Sequence, residues 1–128
     1  MSDVAAVDRK RIDAVCGGDE AIAIELLGML VDEAEPIISA LKEYVRCHDV
    51  LQMNELSHAL KGISGNVGAY ELRDAAMGLE SVSTTAQAPP THVLDIRLMA
   101  IVRSFERVCD THRSWQARAA CNAGIFTS

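Results

Sequence analysis

Residues 49–69 carry the strongest periodic pattern in the chain and read Asp49-Val-Leu-Gln-Met-Asn-Glu-Leu-Ser-His-Ala-Leu-Lys-Gly-Ile-Ser-Gly-Asn-Val-Gly-Ala69. Apolar side chains recur there at spacings of three, four, three and four, which predicts one buried helical face made by Met53, Leu56, Leu60, Ile63 and Val67. Asp49 stands where an N-cap acceptor is needed, and Gly68 stands where a left-handed residue would end a helix. We therefore expect one amphipathic helix between these two residues.

The polar face of this helix carries a histidine with little bulk around it. At about 100° per residue, His58 lies roughly 180° from the middle of the apolar stripe, followed by Gly65 at about 160°, Gly62 and Asn54 at about 140° and Lys61 at about 120°. A glycine inside a helix costs on the order of 1 kcal/mol relative to alanine, so two of them require an offsetting use. Two missing side chains near the histidine would let a bulky partner reach its ring.

Two simpler interpretations compete with a functional site. A surface histidine is commonly just solvated, and a pair of glycines can mark a close contact between helices. These glycines lie on the polar face, however, whereas a helix contact would more naturally use the side of Leu56 and Leu60. The coincidence of histidine, lysine and glycines on one face favours a functional site at His58.

The same residues resemble the signature of histidine phosphotransfer (HPt) domains of multistep phosphorelays. That signature is His-x-x-Lys-Gly followed by a small residue and then by Gly-Ala, and it is matched by His58, Lys61, Gly62, Ser64, Gly65, Gly68 and Ala69. The resemblance extends to Leu72 and to Leu79-Glu80, and the helical layout covers about residues 7 to 118.

The resemblance implies a phosphorelay intermediate. His58 would accept a phosphoryl group on Nε2 from the aspartate of one receiver domain and pass it to another. The expected partners are the receiver domain of a hybrid sensor histidine kinase and that of a response regulator. Lys61 would neutralise the phosphoryl oxygens, while Gly62 and Gly65 would keep the approach clear. No cofactor is expected, because the metal chemistry of such transfers belongs to the receiver domain.

The chemistry of the residues agrees with this role. A neutral imidazole is a competent nucleophile near neutral pH, since its reference pKa is about 6.5. The chain shows no phosphate-binding glycine loop, so we expect no autonomous kinase activity, and whether the chain is an enzyme stays open. Asn54 and Glu55, one turn before His58, are alternative candidates for a hydrogen bond to Nδ1. Ser64 lies near the apolar stripe and is interpreted as a small packing residue.

Composition narrows the function further. The chain has 128 residues, which fits one domain with one core. Its net charge of −6 argues against binding nucleic acid through phosphate neutralisation. No apolar run approaches the roughly 20 residues of a membrane span, and the N-terminus is unlike a signal peptide, so a cytoplasmic location is expected. The four cysteines contain no Cys-x-x-Cys pair, and Cys109 with His112 lacks further ligands, so no metal site is expected.

The remaining sequence predicts an all-α antiparallel four-helix bundle with a short additional N-terminal helix. That short helix would run from Val7 to Cys16, with Ile12 and Val15 as anchors. The second would begin after Asp19, contain Pro36 as a kink or a division, and bury Ala23, Leu27, Leu30, Ala34, Ile37, Leu41 and Val45.

A fourth helix would occupy residues 70–82, and residues 83–91 form a loop whose last residue, Thr91, is the expected N-cap of the final helix. The stripe of that helix would be Leu94, Leu98, Ile101, Phe105, Val108, His112 and Trp115. The expected organisation is a flexible N-terminus over residues 1–6, the bundle over residues 7–118, and a flexible tail over residues 119–128.

An apolar excess marks the first half of the second helix, where Ile22, Leu26 and Met29 widen the stripe. The first helix is one candidate to cover it, and a docked receiver domain is the other. The main alternative function is a non-catalytic helical adaptor that binds receiver or kinase domains. A module of a larger hybrid kinase is a further alternative, although the initial Met1 mildly favours a free-standing protein. A monomer is expected.

Overall fold

A computed structural model describes residues 5–84 and 89–124. These residues form five helices and no strand, and the helices are α1 (Arg9–Cys16), α2 (Glu20–Arg46), α3 (Val50–Asn66), α4 (Tyr70–Val82) and α5 (Thr91–Asn122). None of the described helices combines the length and the apolarity that crossing a bilayer requires. The predicted all-α class is confirmed.

Helices α2 to α5 form the antiparallel four-helix bundle, and α1 is the short additional helix. α3 packs between α2 and α4, and α5 packs between the same two helices on the other side. α3 and α5 therefore occupy opposite corners of the bundle. The outer face of α5 is therefore diagonally opposite the outer face of α3.

An aspartate occupies the N-cap position of each of the first three helices. The carboxylates of Asp8, Asp19 and Asp49 accept hydrogen bonds from backbone N–H groups in the first turns of α1, α2 and α3. The last two caps are those predicted. The predicted cap at Thr91 is wrong, because α5 already includes Thr91 and the cap position falls on Pro90. The Thr91 hydroxyl lies instead 3.1 Å from Nε2 of His48.

The residues of α3 that are completely buried are not the same set as the apolar stripe predicted from the sequence. The fully buried residues are Met53, Ser57, Leu60 and Ser64, while Leu56, Ile63 and Val67 are only half-buried. α3 is flanked by α2 and α4, and the line that is completely buried between its neighbours includes the two small serines. Each buried serine hydroxyl donates to the carbonyl four residues earlier. Ser64 is thus the packing residue that was predicted.

The seam of α2 matches the prediction except at one position. Ile38, not Ile37, is the buried isoleucine after Ala34, because adjacent isoleucines satisfy the periodic pattern equally well and packing chooses between them. α2 is one helix through Pro36, so the proline does not divide it. In α1, Ile12 is buried as expected, whereas Val15 is 49% exposed and does not anchor the helix.

The final helix is longer than expected. α5 continues to Asn122, four residues beyond the predicted boundary at residue 118. It buries Leu94, Ile101, Ser104, Val108 and Trp115, and the other members of its predicted stripe are half-buried. At the other terminus, Ala6 and Val7 are buried. Residues 1–4 and 125–128, and residues 85–88 of the predicted loop, lie outside the described residues.

The turn between α3 and α4 is joined to the start of α1. Gly68 has a φ of 81°, and its carbonyl accepts a 2.8 Å hydrogen bond from the N–H of Asp8. The Arg11 side chain passes so close to Gly68 that an added Cβ would lie 2.9 Å from its Cβ. Only glycine satisfies both the left-handed backbone and this close approach.

A glycine-to-alanine comparison tests this junction. Gly17 is also left-handed but has open space around it, so Gly17→Ala should cost only the backbone term of about 1 kcal/mol. Gly68→Ala adds the collision with Arg11 and should lose at least about 1 kcal/mol more. Urea unfolding followed by circular dichroism measures both variants. Equal losses would show that α1 yields to the new methyl group without cost.

Candidate functional site

His58 stands on the outer face of α3, near the middle of the helix. Its side chain is 68% exposed, while the preceding residue Ser57 is completely buried. This contrast follows from the helical turn of about 100° per residue, which separates neighbours onto different faces. The imidazole is therefore accessible to a macromolecule from outside the bundle.

The His58 ring is held by a carboxylate from the neighbouring helix. Nδ1 lies 2.6 Å from Oε2 of Glu80, which belongs to the last part of α4. The other oxygen of the same carboxylate, Oε1, accepts a 2.8 Å hydrogen bond from Nζ of Lys61. The carboxylate of Glu80 therefore bridges His58 and Lys61, two groups on α3 that can carry positive charge. The Glu80 side chain is 20% exposed.

The ionisation of Glu80 sets the tautomer of His58. The ammonium of Lys61, and after it the hydrogen bond from His58, holds the pKa of the Glu80 carboxyl below its ordinary value, against partial burial, which raises it. An ionised carboxylate only accepts hydrogen bonds, so Nδ1 must carry the proton in this pair. In the neutral ring, Nε2 then has a free lone pair, and it makes no hydrogen bond to the described residues.

Lys61 is fixed close to the histidine without being buried. Its side chain is 30% exposed and lies one helical turn after His58 on the same side of α3. The ion pair with Glu80 directs the ammonium group toward the histidine. A negative group arriving at the ring would therefore find a cation already in place.

The two orienting candidates drawn from the sequence do not bind the ring. The amide of Asn54 donates to the backbone carbonyl of Glu80 at 3.2 Å. Glu55 is exposed and makes no hydrogen bond within the described part of the chain. The structure gives the contact with Nδ1 to Glu80, a residue quoted for the family resemblance but assigned no role.

A signal for Glu80 was nevertheless present in the sequence. His58 and Glu80 lie eleven residues before and after Ala69, in the turn that joins the two helices. In an antiparallel helix pair with a short turn, residues equally distant from the turn lie side by side. Counting outward from the turn would have placed the carboxylate opposite the histidine.

The two glycines of the site have different surroundings. A Cβ added to Gly62 would meet no atom within 4 Å, so the surface beside the histidine is open there. A Cβ on Gly65 would lie 3.3 Å from Cδ of Arg73, which crosses from α4 over the glycine. Gly62 leaves space empty, whereas the space at Gly65 is filled by a cationic side chain.

An apolar cleft runs along the other side of α3, toward α2. It has a volume of about 150 Å³ and is lined by Leu26, Met29, Leu30, Glu33, Ile63, Asn66 and Val67. Met29 is 51% exposed, and Ile22, seven residues earlier on α2, is 44% exposed. No residue of α1 lines this cleft, so the first helix does not cover the apolar excess of α2 there.

Other parts of the described chain offer no comparable chemistry. A larger concavity of about 790 Å³ lies between the segment before α1 and the second half of α5, and it includes none of the site residues. Arg9, on its wall, is engaged by Asp13 and Glu20 and lies over the ring of Trp115. No three His, Cys, Asp or Glu side chains among the described residues are grouped to hold a metal ion.

An exposed imidazole, bonded at Nδ1 and carried by a four-helix bundle, defines the class of histidine phosphotransfer proteins. The family profile described as Hpt domain matches residues 25–111, well over half of the chain. The chain belongs to the Hpt domain family, whose members transfer phosphoryl groups through histidine in phosphorelays and interact with receiver domains. A search of curated proteins found no match.

The bridge by Glu80 predicts a pH-dependent contribution to stability. Glu80→Gln should lower the free energy of unfolding by up to about 1 kcal/mol at pH 7, since partly exposed ion pairs are worth no more. Because the pKa of Glu80 is lowered on folding, the loss is complete above the unfolded-state pKa of about 4.3. This loss of stability disappears as the pH falls through the pKa that Glu80 has in the folded protein.

Urea unfolding of both proteins between pH 7 and pH 3 checks this expectation. Glu55→Gln is the control, because that exposed carboxylate has no hydrogen bond among the described residues, and its small effect should not follow this titration. A difference between wild type and Glu80→Gln that persists undiminished at pH 3 would assign the loss to packing of the amide instead.

Proposed function

We propose that His58 carries the phosphoryl group of a phosphorelay. It accepts the group from the aspartate of one receiver domain and gives it to the aspartate of another. The observation that supports this most is the hydrogen bond from Nδ1 to Glu80, which leaves the nucleophilic nitrogen free on a ring that is 68% exposed. The first partner is the receiver domain of a hybrid sensor kinase, and the second is that of a response regulator.

The transfer is a displacement at phosphorus. The Nε2 lone pair of His58 attacks in line, the new P–N bond forms, and the bond between phosphorus and the aspartyl oxygen breaks with its electron pair leaving on the carboxylate. No proton has to move, because Nε2 is unprotonated at the start. The ring gains positive charge as the bond forms, and the Glu80 carboxylate at Nδ1 stabilises that charge. The same steps in reverse deliver the group to the second receiver.

Lys61 supplies the complementary charge for the phosphoryl oxygens. Its ammonium is bound to Glu80 in the unmodified protein, on the same carboxylate that contacts the histidine. When the phosphoryl group arrives, this flexible cation can turn from the carboxylate to a phosphoryl oxygen over a short distance. The Glu80 carboxylate then contacts only the His58 ring, at the moment when the ring carries the most positive charge.

Gly62 gives the partner access to the ring. A side chain at this position would project into the open surface beside His58, where the receiver's aspartate must approach. The chain has no phosphate-binding glycine loop, so the phosphoryl group comes from a partner and not from a bound nucleotide. Receiver domains act in the cytoplasm, so we expect this chain to act there as well. We also expect it to act as a monomer.

The apolar cleft completes the docking surface in this proposal. The residues Leu26 and Met29 of α2 and Ile63 of α3 present apolar surface beside the histidine face. A docked receiver domain that covers them gains binding free energy from area removed from water. Exposed apolar surface grouped in this way is typical of a protein-binding site.

Phosphotransfer in a purified system tests the assignment of the histidine. Each receiver domain of the same genome is loaded with labelled phosphoryl group and mixed with wild type and with His58→Gln. Wild type should acquire label that is labile in acid and stable in base, as expected for phosphohistidine, and His58→Gln should acquire none. His48→Gln is the control, since His48 is exposed at the turn before α3, and it should be labelled like wild type.

Each other result has a distinct meaning. If a folded wild type binds receivers but none of them labels it, the chain is a non-catalytic helical adaptor. Label on His58→Gln that disappears in another histidine variant would move the site to that residue.

A matched pair of methionines tests the docking role of the cleft. Met29→Glu places a charge in the cleft and should raise the KM for the phosphorylated receiver about tenfold, with little change in the rate at saturation. Met99→Glu is the control, because Met99 is 48% exposed, close to the 51% of Met29, and lies on α5 at the opposite corner from α3. Equal KM values for the two variants would exclude the cleft from the interface.

A further inference from the structure

Two arginines lie at the C-terminal end of α3 and at the turn that follows it, and each passes over a glycine. Arg73 of α4 crosses Gly65, where its Cδ is 3.3 Å from the position of an added Cβ. Arg11 of α1 crosses Gly68, where its Cβ and Cγ are 2.9 and 3.0 Å from such an atom. The two glycines are three residues apart, and the N–H of Gly68 donates to the carbonyl of Gly65 at 3.2 Å. Two helices therefore contribute one cation each to the same stretch of surface.

Arg73 is held in place by its neighbours without losing its exposure. Its guanidinium donates to Asp74 through Nε at 3.1 Å and Nη2 at 3.0 Å, and it lies 4.5 Å from the centre of the Tyr70 ring. Its side chain is 38% exposed, and that of Asp74 is 64% exposed. Water screens an exposed pair of this kind strongly, so the pair does not keep the guanidinium from a second carboxylate.

Arg11 is fixed by the end of α3 itself. Its Nε donates to the carbonyl of Asn66 at 3.2 Å, one of the last carbonyls of the helix. A cation at a helix C-terminus is favourable because the terminal carbonyls carry partial negative charge. One nitrogen is used in this way, and the residue remains exposed.

The position of these arginines relative to His58 gives them a use. Gly65 follows His58 by seven residues, which is about 10 Å along the helix. A receiver domain seated on the histidine extends well beyond 10 Å, since a standard interface buries about 800 Å² on each partner. The arginines thus lie within its footprint. The same footprint also meets the apolar cleft, whose lining residue Asn66 accepts the hydrogen bond from Arg11.

The charge of the chain makes this surface distinctive. Eighteen acidic and twelve basic residues give a net charge of −6, so two arginines at one end of α3 contrast with the average surface, although Asp74 pairs with one of them. The partner must bring carboxylates close to this face, because its reacting group is an aspartate that carries a phosphoryl dianion. A cationic surface beside the reacting histidine is complementary to such a partner.

We propose that Arg11 and Arg73 form a cationic ledge that binds acidic side chains of the receiver domain docked on His58. This inference rests on the proposed phosphotransfer function. The ledge steers and holds the partner, and it takes no part in the displacement at phosphorus.

The ledge also assigns a purpose to Gly65. The glycine leaves the space in which the aliphatic part of Arg73 lies, so it acts on the partner through the arginine. Gly65→Ala would push Arg73 by a few tenths of an ångström, and its effect on receiver binding should vanish when Arg73 is already replaced. Gly65 differs in this respect from Gly62, which has open space above it.

The test compares two double charge reversals. Arg11→Glu with Arg73→Glu removes the ledge, and Arg46→Glu with Arg113→Glu is the matched control. Arg46 and Arg113 are 72% and 68% exposed and lie at the end of α2 and on α5. Each reversal changes the charge by two units, so both double variants carry −10 instead of −6.

The readouts are the affinity of the unphosphorylated receiver domain, by titration calorimetry, and the KM and maximal rate of transfer from its phosphorylated form. The receiver is the one of the panel above that binds wild type most tightly. The ledge variant should show a dissociation constant and a KM raised at least about tenfold, with the maximal rate within about twofold of wild type. The control variant should stay within about threefold.

Salt and conservative variants separate this role from a structural one. The difference between wild type and the ledge variant should shrink severalfold between about 0.05 M and 0.5 M NaCl, because salt screens exposed charges. Arg73→Met keeps the aliphatic chain over Gly65 but should weaken binding, and Arg73→Lys should restore most of it. A purely structural Arg73 would tolerate methionine and would show no salt dependence.

The outcomes of this test and of the phosphotransfer test are distinct. If His58 is labelled normally and the ledge variant matches the control in affinity, the ledge is excluded while the phosphotransfer function stands. If no label reaches His58 but the ledge variant still loses affinity, the ledge stands as a binding surface and the phosphotransfer function falls. Circular dichroism shows whether the ledge variant is folded. If it is unfolded, the receiver affinities of Arg73→Met and Arg73→Lys decide whether the positive charge at this position is needed for binding.

Discussion

The carboxylate of Glu80 is the interaction on which the organisation of the candidate site depends. It contacts the histidine with one oxygen and the lysine with the other, and the carbonyl of the same residue accepts from Asn54. All the polar side-chain contacts that α3 makes with α4 within the described residues converge on this one position. The glutamate thereby sets the ring tautomer, places the cation, and joins α3 to α4 at the site.

The architecture followed from the sequence because it depends on periodicity and on chain breaks. Aspartates before the helices, left-handed glycines after them, and apolar residues at helical spacing bound the elements closely. Short connections then leave antiparallel packing as the natural arrangement. The exposed position of His58 also followed, because a residue opposite the apolar stripe faces outward whichever helices pack on the other side.

What the sequence did not determine depends on the reach of side chains between helices. Ile37 and Ile38 are equivalent in any periodic pattern, and only the neighbouring helices select the second. Asn54 and Glu55 were attractive partners for the histidine because they are near in sequence, yet the contact comes from another helix. Arg73 was equally hidden, although it is four residues from Ala69 on one side, as Gly65 is on the other. A helical wheel treats one helix at a time and therefore omits such pairs.

The glycines illustrate how a missing side chain acquires meaning only from its surroundings. Both were expected to clear a path to the ring, since both lie on the same face of α3. In three dimensions one faces solvent and the other faces an arginine. The same residue type thus gives access at one position and a seat for a neighbour at the other.

The buried serines have a consequence for how this protein tolerates change. Ser57, Ser64 and Ser104 each donate to a carbonyl of their own helix, and Ser83 donates to a carbonyl of α4, which it directly follows. Among the described residues these hydroxyls therefore form no polar link from one helix to another. These serines contribute to helix packing through their small size, while the polar contacts of the histidine and the lysine lie on the outer side of α3 and α4. The positions of the buried serines can therefore drift in sequence while the reactive rim stays unaltered, whereas a change at Glu80 affects stability and transfer chemistry together.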